Sequence, residues 1–160
     1  MQENPDKKTT VFDKVKEAHK QITEQMWLLE SALPYLNKEE SYNNARKVTD
    51  YFKNTILRHF EWEEREVFPV ALAVGDLDIK LIVRELQQQH IFIISRFDII
   101  ADIILKYGFS FNDEKVKSKF IQSGKEMLES VLQHAHKEDE ELFPFLEDKN
   151  VNIDFKSQSQ

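Results

Sequence analysis

Apolar residues fall along the chain in four long stretches at helical spacing, each closed by a proline, a glycine or a polar break. In the first stretch Phe12, Val15, His19, Ile22, Met26 and Leu29 share a face, Thr10-x-x-Asp13 supplies an N-terminal cap, and Pro34 marks the end. The second, opened by Ser41, sets Val48, Phe52, Ile56, His59 and either Trp62 or Glu63 on one side, with Pro69 and Gly75 as end punctuation. Asp76 caps a third, in which Leu86, His90, Ile93, Phe97, Ile100 and Ile104 line up ahead of Gly108. The fourth starts at Asn112 and carries Val116, Phe120, Met127, Val131, His134 and Glu138 to Phe143-Pro144, with Gly124 a weak spot in its middle. Connections of roughly five to ten residues make successive helices antiparallel. The pattern predicts an all-α fold: an up-down-up-down four-helix bundle over 10–149, between a flexible N-terminus at 1–9 and a flexible tail at 150–160.

Composition narrows this further. Three Gly and four Pro leave little turn chemistry for a sheet-rich fold. With 160 residues, 41% of them apolar, the chain suits one domain around one core. It has no Cys, so disulfides and thiolate ligands are excluded, and metal chemistry must rest on His and carboxylates. A net charge of −7, from 29 acids against 22 bases, argues against a nucleic-acid partner. The amino terminus lacks the apolar stretch of a signal peptide. The greasiest segment, IFIISRFDIIADIIL, is cut by Arg96, Asp98 and Asp102, which argues against a membrane partner. A soluble cytoplasmic protein is expected.

The chain also repeats itself. HFEWEEREVFP at 59–69 returns as HAHKEDEELFP at 134–144, and at that offset of 75 Leu57, His59, Glu63, Glu66, Phe68 and Pro69 fall on Leu132, His134, Glu138, Glu141, Phe143 and Pro144. One helix earlier in each half stands a single histidine, His19 or His90. The chain thus reads as two helical hairpins, each supplying a His and then His-x-x-x-Glu. Positions i and i+4 of a helix differ by only about 40° in azimuth and about 6 Å along the axis. His59 and Glu63, and likewise His134 and Glu138, therefore share a stripe, and it is the apolar one. His19, between Val15 and Ile22, and His90, between Leu86 and Ile93, face the same core.

Two carboxylates in a bundle core need compensating charge, and no Lys or Arg lies on these stripes near them. A pair of divalent cations would supply it, each Glu bridging both and each ion taking two imidazoles from one hairpin. His136 stands about 200° around the helix from His134 and is not expected to be a ligand. Glu66 and Glu141, one turn beyond the bridging glutamates, are candidates for supporting the ligands from behind or for occasional ligation. The remaining acids of the runs at 61–64 and 138–141 look like solvated faces. The two Phe-Pro pairs read as terminators, the Pro stopping each helix and the Phe plugging the bundle end, and Trp27 and Trp62 read as packing residues.

Together, His19, His59-x-x-x-Glu63-Glu64 with Phe68-Pro69, His90, and His134-x-x-x-Glu138 with Phe143-Pro144 resemble the hemerythrin-like HHE cation-binding domain family. The resemblance implies a four-helix bundle around a non-haem di-iron centre, two Fe ions with an oxo or hydroxo bridge beside two bridging carboxylates. His19 and His59 would hold one iron, His90 and His134 the other, and Glu63 and Glu138 would bridge. Oxygen-carrying hemerythrins have a further histidine four residues from the one on the third helix, where this chain has Leu86 and Ile94. They close the fourth helix with His-x-x-x-x-Asp, against His134-x-x-x-Glu138 here. The four-histidine set looks more like bacterial di-iron proteins linked to nitric-oxide stress and repair of iron centres, though the cysteine-bearing segment of many repair proteins is missing.

These features imply a protein that binds or senses O2, NO or iron at a carboxylate-bridged dinuclear centre. The alternative is a di-iron oxidoreductase acting on NO or peroxide, or an iron donor for iron-sulfur cluster repair. A third reading is an interaction module stapled by metal, homodimeric through helix three, where Ile91, Ile99 and Ile103 widen the apolar face. Imidazole with carboxylate also accepts Zn or Mn, so iron rests on the resemblance.

Overall fold

A computed structural model of the chain describes residues 9–108 and 112–155. Of the expected flexible segments, 1–8 and 156–160 lie outside the described residues. The described residues form four long helices and no strand. Helix α1, Val11–Ala32, starts with the expected capping box between Thr10 and Asp13, and a short 3-10 turn at Leu33–Tyr35 carries the chain through Pro34. Helix α2 runs over 39–74, beginning at Glu39 rather than at Ser41 and without a side-chain cap. Helix α3, Leu77–Tyr107, is capped by Asp76 and ends at Gly108, whose φ of 56° suits glycine. Helix α4 runs over 114–148, its cap supplied by Asp113, one residue beyond Asn112. Among the described residues no helix is long and apolar enough to cross a membrane.

The helices pack antiparallel in a ring, α1 against α2 and α4, and α3 against α4 and α2. Gly124 is no weakness in this packing. A Cβ there would lie 2.9 Å from a Leu33 methyl, so the glycine lets the end of α1 approach α4 closely. Near the end of α3 Ile103 is buried and Ile104 only half-buried. This weakens the expected apolar contact face. Ile103 belongs to the core, Ile99 packs partly against it, and Ile91 alone of the three is well exposed.

The Phe-Pro pairs do not stop their helices, contrary to the reading from sequence. Proline removes a backbone donor and crowds the carbonyl four residues back. The chain absorbs this with one wide π-helical turn before each proline, Glu63–Val67 and Glu138–Leu142. There the Phe68 N–H reaches the Glu63 carbonyl, and the Phe143 N–H reaches that of Glu138. Helix then resumes as Phe68–Val74 and Phe143–Asp148, with the proline in the first turn, where its missing N–H costs nothing. Such wide turns are frequent at functional sites, and both begin at the repeated glutamates.

The apolar core is divided. One cluster holds Ile22, Met26, Phe52, Ile56, Ile93 and Phe97 with their neighbours, and a second holds Val15, Trp62, Phe68, Leu86, Leu142 and Phe143. The four inward histidines fall between the two on every helix, so a polar layer crosses the bundle. The second cluster also collects the chain beyond α4: Ile153 is buried, and the Trp62 Nε1–H donates to the Asp154 carbonyl at 2.7 Å. Trp62 is thus a packing residue. Trp27 is not: it is 57% exposed.

Candidate metal centre

The polar layer gathers six side chains, one from each of α1 and α3 and two from each of α2 and α4. His19, His59, His90, His134, Glu63 and Glu138 are all buried, the two glutamates with no exposed surface. The Nε2 atoms meet in pairs, His19 with His59 at 3.1 Å and His90 with His134 at 3.0 Å. The carboxylates span the pairs. Glu63 Oε1 lies 3.3 Å from His59 Nε2 and 3.5 and 3.6 Å from those of His90 and His134. Glu138 Oε1 lies 3.1 Å from His134 Nε2 and 3.5 Å from His19 Nε2. Two triads result, His19, His59 and Glu138, and Glu63, His90 and His134, each with its donor atoms within 4.8 Å of one another.

The outer ring nitrogens fix what the inner ones can do. His19 Nδ1 donates to Asp139 Oδ1 at 2.9 Å, His90 Nδ1 to Glu64 Oε1 at 2.8 Å, and His134 Nδ1 to Gln89 Oε1 at 3.0 Å. A neutral ring that donates from Nδ1 turns the Nε2 lone pair inward. Neither oxygen of Glu63 or of Glu138 has a hydrogen-bond partner. With His19, His90 and His134 in that neutral tautomer, lone pairs and carboxylate oxygens converge in a buried layer, an arrangement that costs several kcal/mol unless a cation joins it. The donor set of nitrogen and oxygen suits a divalent transition metal.

Titration in the metal-free chain is uneven. Burial drives the His59 imidazole down to about 4 against the pull of Glu63, and burial also lowers His134. Burial opposes charge on His90 as well, but the nearby Glu63 carboxylate and the hydrogen-bonded Glu64 carboxylate raise it above the ordinary value. Burial penalises the Glu63 anion, yet His59, His134 and His90 outweigh this and hold its carboxyl well below the usual range.

Aromatic rings wall the layer. Phe68 stacks on His90 at 5.4 Å and Phe143 on His19 at 5.8 Å, so the repeated Phe does more than plug an end. Phe60 lies closest, 4.0 Å from His90.

The carboxylates behind the histidines are not those expected. Glu66 bonds Arg65 and Glu141 pairs with Lys137, both away from the layer. Glu64 and Asp139 hold the histidines instead, although the sequence pattern places them on a solvated face. The signal was in the repeat, since Glu64 and Asp139 are related by the same offset of 75. An acid also follows His134 at the fifth position, and the structure sends Glu138 inward and Asp139 out to His19. His136 is exposed and outside both triads, as expected.

The sequence model of the hemerythrin HHE cation binding domain family matches residues 10–146. The chain belongs to this family. No curated protein and no solved structure gives a significant match to it. The hemerythrin domain and the two buried His/Glu triads together mark a metal-binding protein.

Proposed function

We propose that this hemerythrin domain holds two iron ions, His19, His59 and Glu138 around one and Glu63, His90 and His134 around the other, with both glutamates reaching across, and that it binds or senses O2, NO or iron. The observation that carries this is the convergence of inward Nε2 atoms on four carboxylate oxygens that have no hydrogen-bond partner. Each Glu Oε1 lies within 3.6 Å of imidazoles from both hairpins, which supports bridging. Four imidazoles and two carboxylates leave coordination positions over, and bound iron would offer these to a small diatomic ligand. The protein's own part is to orient the rings through Asp139, Glu64 and Gln89 and to exclude bulk water with Phe60, Phe68 and Phe143.

The test is anaerobic reconstitution with ferrous iron, elemental analysis, and exposure to air or NO. Two irons per chain and a visible absorption that depends on the added ligand are expected; a spectrum indifferent to both gases refutes the reading. Sustained consumption of NO or peroxide with a reductant present would instead place the chain among di-iron oxidoreductases.

A further inference from the structure

The internal repeat pairs the surroundings of the two triads position by position, and the pairs diverge at one wall. Beside His90 lies a cleft of about 600 Å³ whose apolar wall is Leu57, Phe60, Ile91 and Ile94 and whose charged wall is Glu61, Glu64 and Arg65. Beside His19 lies a cleft of about 360 Å³. By the offset of 75 between α2 and α4, and of 71 between His19 and His90, its matching walls are Leu132, Ala135, Lys20 and Thr23. Three of four apolar walls have become small or polar. The consequence falls on the rings: two phenyl rings stack on His90, Phe60 at 4.0 Å and Phe68 at 5.4 Å, whereas His19 has Phe143 at 5.8 Å and Ala135 where the second ring would be.

From this asymmetry we propose that the two metal positions exchange at different rates: the ion at His19, His59 and Glu138 comes and goes through the cleft at Ala135, while Phe60 seals the ion at Glu63, His90 and His134. The inference rests on the metal centre proposed above. Loss of an ion requires an imidazole to swing away and water or a chelator to take its place. At His90 the Phe60 ring, stacked 4.0 Å away, must be displaced first, which slows the swing by roughly two- to tenfold, and the apolar Leu57, Ile91 and Ile94 beside it offer incoming water no hydrogen-bond partner. Trp27 also lines the cleft at Ala135, but no phenyl ring stands at position 135 to be displaced, and Thr23 and Lys20 offer water its partners there.

Zinc tests this without redox chemistry. The full chain is loaded with zinc, the bound ions are counted, and release to an excess of chromophoric chelator is followed. Two phases of one ion each are expected. Ala135→Phe slows the fast phase by roughly two- to tenfold, and Phe60→Ala speeds the slow phase by a similar factor. Lys20→Ile with Thr23→Ile, which adds no bulk at a buried position, must slow the same fast phase; this keeps the test valid if Ala135→Phe does not fold. Two ions leaving in a single phase overturn the inference while the metal centre stands, as does a fast phase unmoved by these variants. A wild-type chain that retains no zinc overturns the centre itself.

Discussion

Glu138→Gln offers the sharpest test of why the layer is built as it is, because it should act with opposite sign in the presence and absence of metal. Both Glu138 oxygens are buried and unpartnered, with His134 Nε2 at 3.1 Å and His19 Nε2 at 3.5 Å. The amide is isosteric with the carboxylate, carries no charge, and brings two N–H donors to within reach of those lone pairs. Relieving a buried unsatisfied group is worth about 1–3 kcal/mol. For a domain of this size about 2 kcal/mol corresponds to a rise in Tm of roughly 4–8 °C. With metal the balance turns. At an ion concentration a thousandfold above Kd, binding stabilises by about 4 kcal/mol per site. A hundredfold loss of affinity removes about 2.7 kcal/mol of that. Because Glu138 reaches both triads, the loss applies at each site and exceeds the gain. Thermal melts of wild type and variant, each metal-free and metal-saturated, should therefore rank in opposite orders. A metal-free Glu138→Gln protein that melts at or below the metal-free wild type would show that the carboxylate is satisfied without a cation, and the argument for the centre would lose its basis.

Four further predictions follow from named contacts. Glu64→Gln and Asp139→Asn should each weaken metal binding by about ten- to a hundredfold in chelator competition, while Glu66→Gln and Glu141→Gln leave it within about threefold. His59, lowered from 6.5 to about 4 by burial, stabilises the fold above pH 6.5; that contribution falls away as pH drops toward 4 and amounts to about 3 kcal/mol, so urea midpoints of the metal-free protein should fall across this window. His90 is raised and must lose its proton to bind metal, so titrating metal into unbuffered protein near neutrality should acidify the solution, and bound metal should be released below about pH 6. Trp62→Phe deletes the 2.7 Å bond to the Asp154 carbonyl, which should cost about 1 kcal/mol and speed amide exchange across 151–155.

How much of this was legible depended on whether a feature belongs to one helix or to two. The helical faces were readable because burial follows the 3.6-residue period: the six marked residues of the first stretch, Phe12 through Leu29, are all buried. His59, Glu63, His134 and Glu138 were readable for the same reason, each pair lying on an apolar stripe. Glu64 was not, because a helical wheel gives an azimuth and says nothing of the neighbour; only α3, arriving with His90, turns an acid on the flank into a hydrogen-bond acceptor. Trp27 failed in the opposite way, since an aromatic residue was assumed to need a partner and none of the helices covers it. The prolines were misleading because residue spacing does not show where a single carbonyl goes, and the wide turns at Glu63 and Glu138 accommodate each proline locally without ending the helix.

Those wide turns also bear on why the layer sits where it does. An α-helix cannot carry Pro69 or Pro144 without releasing a carbonyl, and a π turn releases it by adding a residue to one turn. Both extra residues are inserted directly beyond the imidazole and carboxylate pairs, so α2 and α4 change phase between the two apolar clusters. On one side of the layer Phe60 and Val131 face the first cluster, and on the other Phe68 and Phe143 face the second. Without the shift of about 100° that one extra residue brings, Phe68 and Phe143 could not both enter the core and stack on His90 and His19. The repeated Phe-Pro pair and the repeated His-x-x-x-Glu are thus one device. A Pro69→Ala chain tests this: if the turn reverts to α geometry, Phe68 leaves His90 and metal affinity falls although no ligand has changed. Affinity equal to wild type would mean that the turn and the centre are independent.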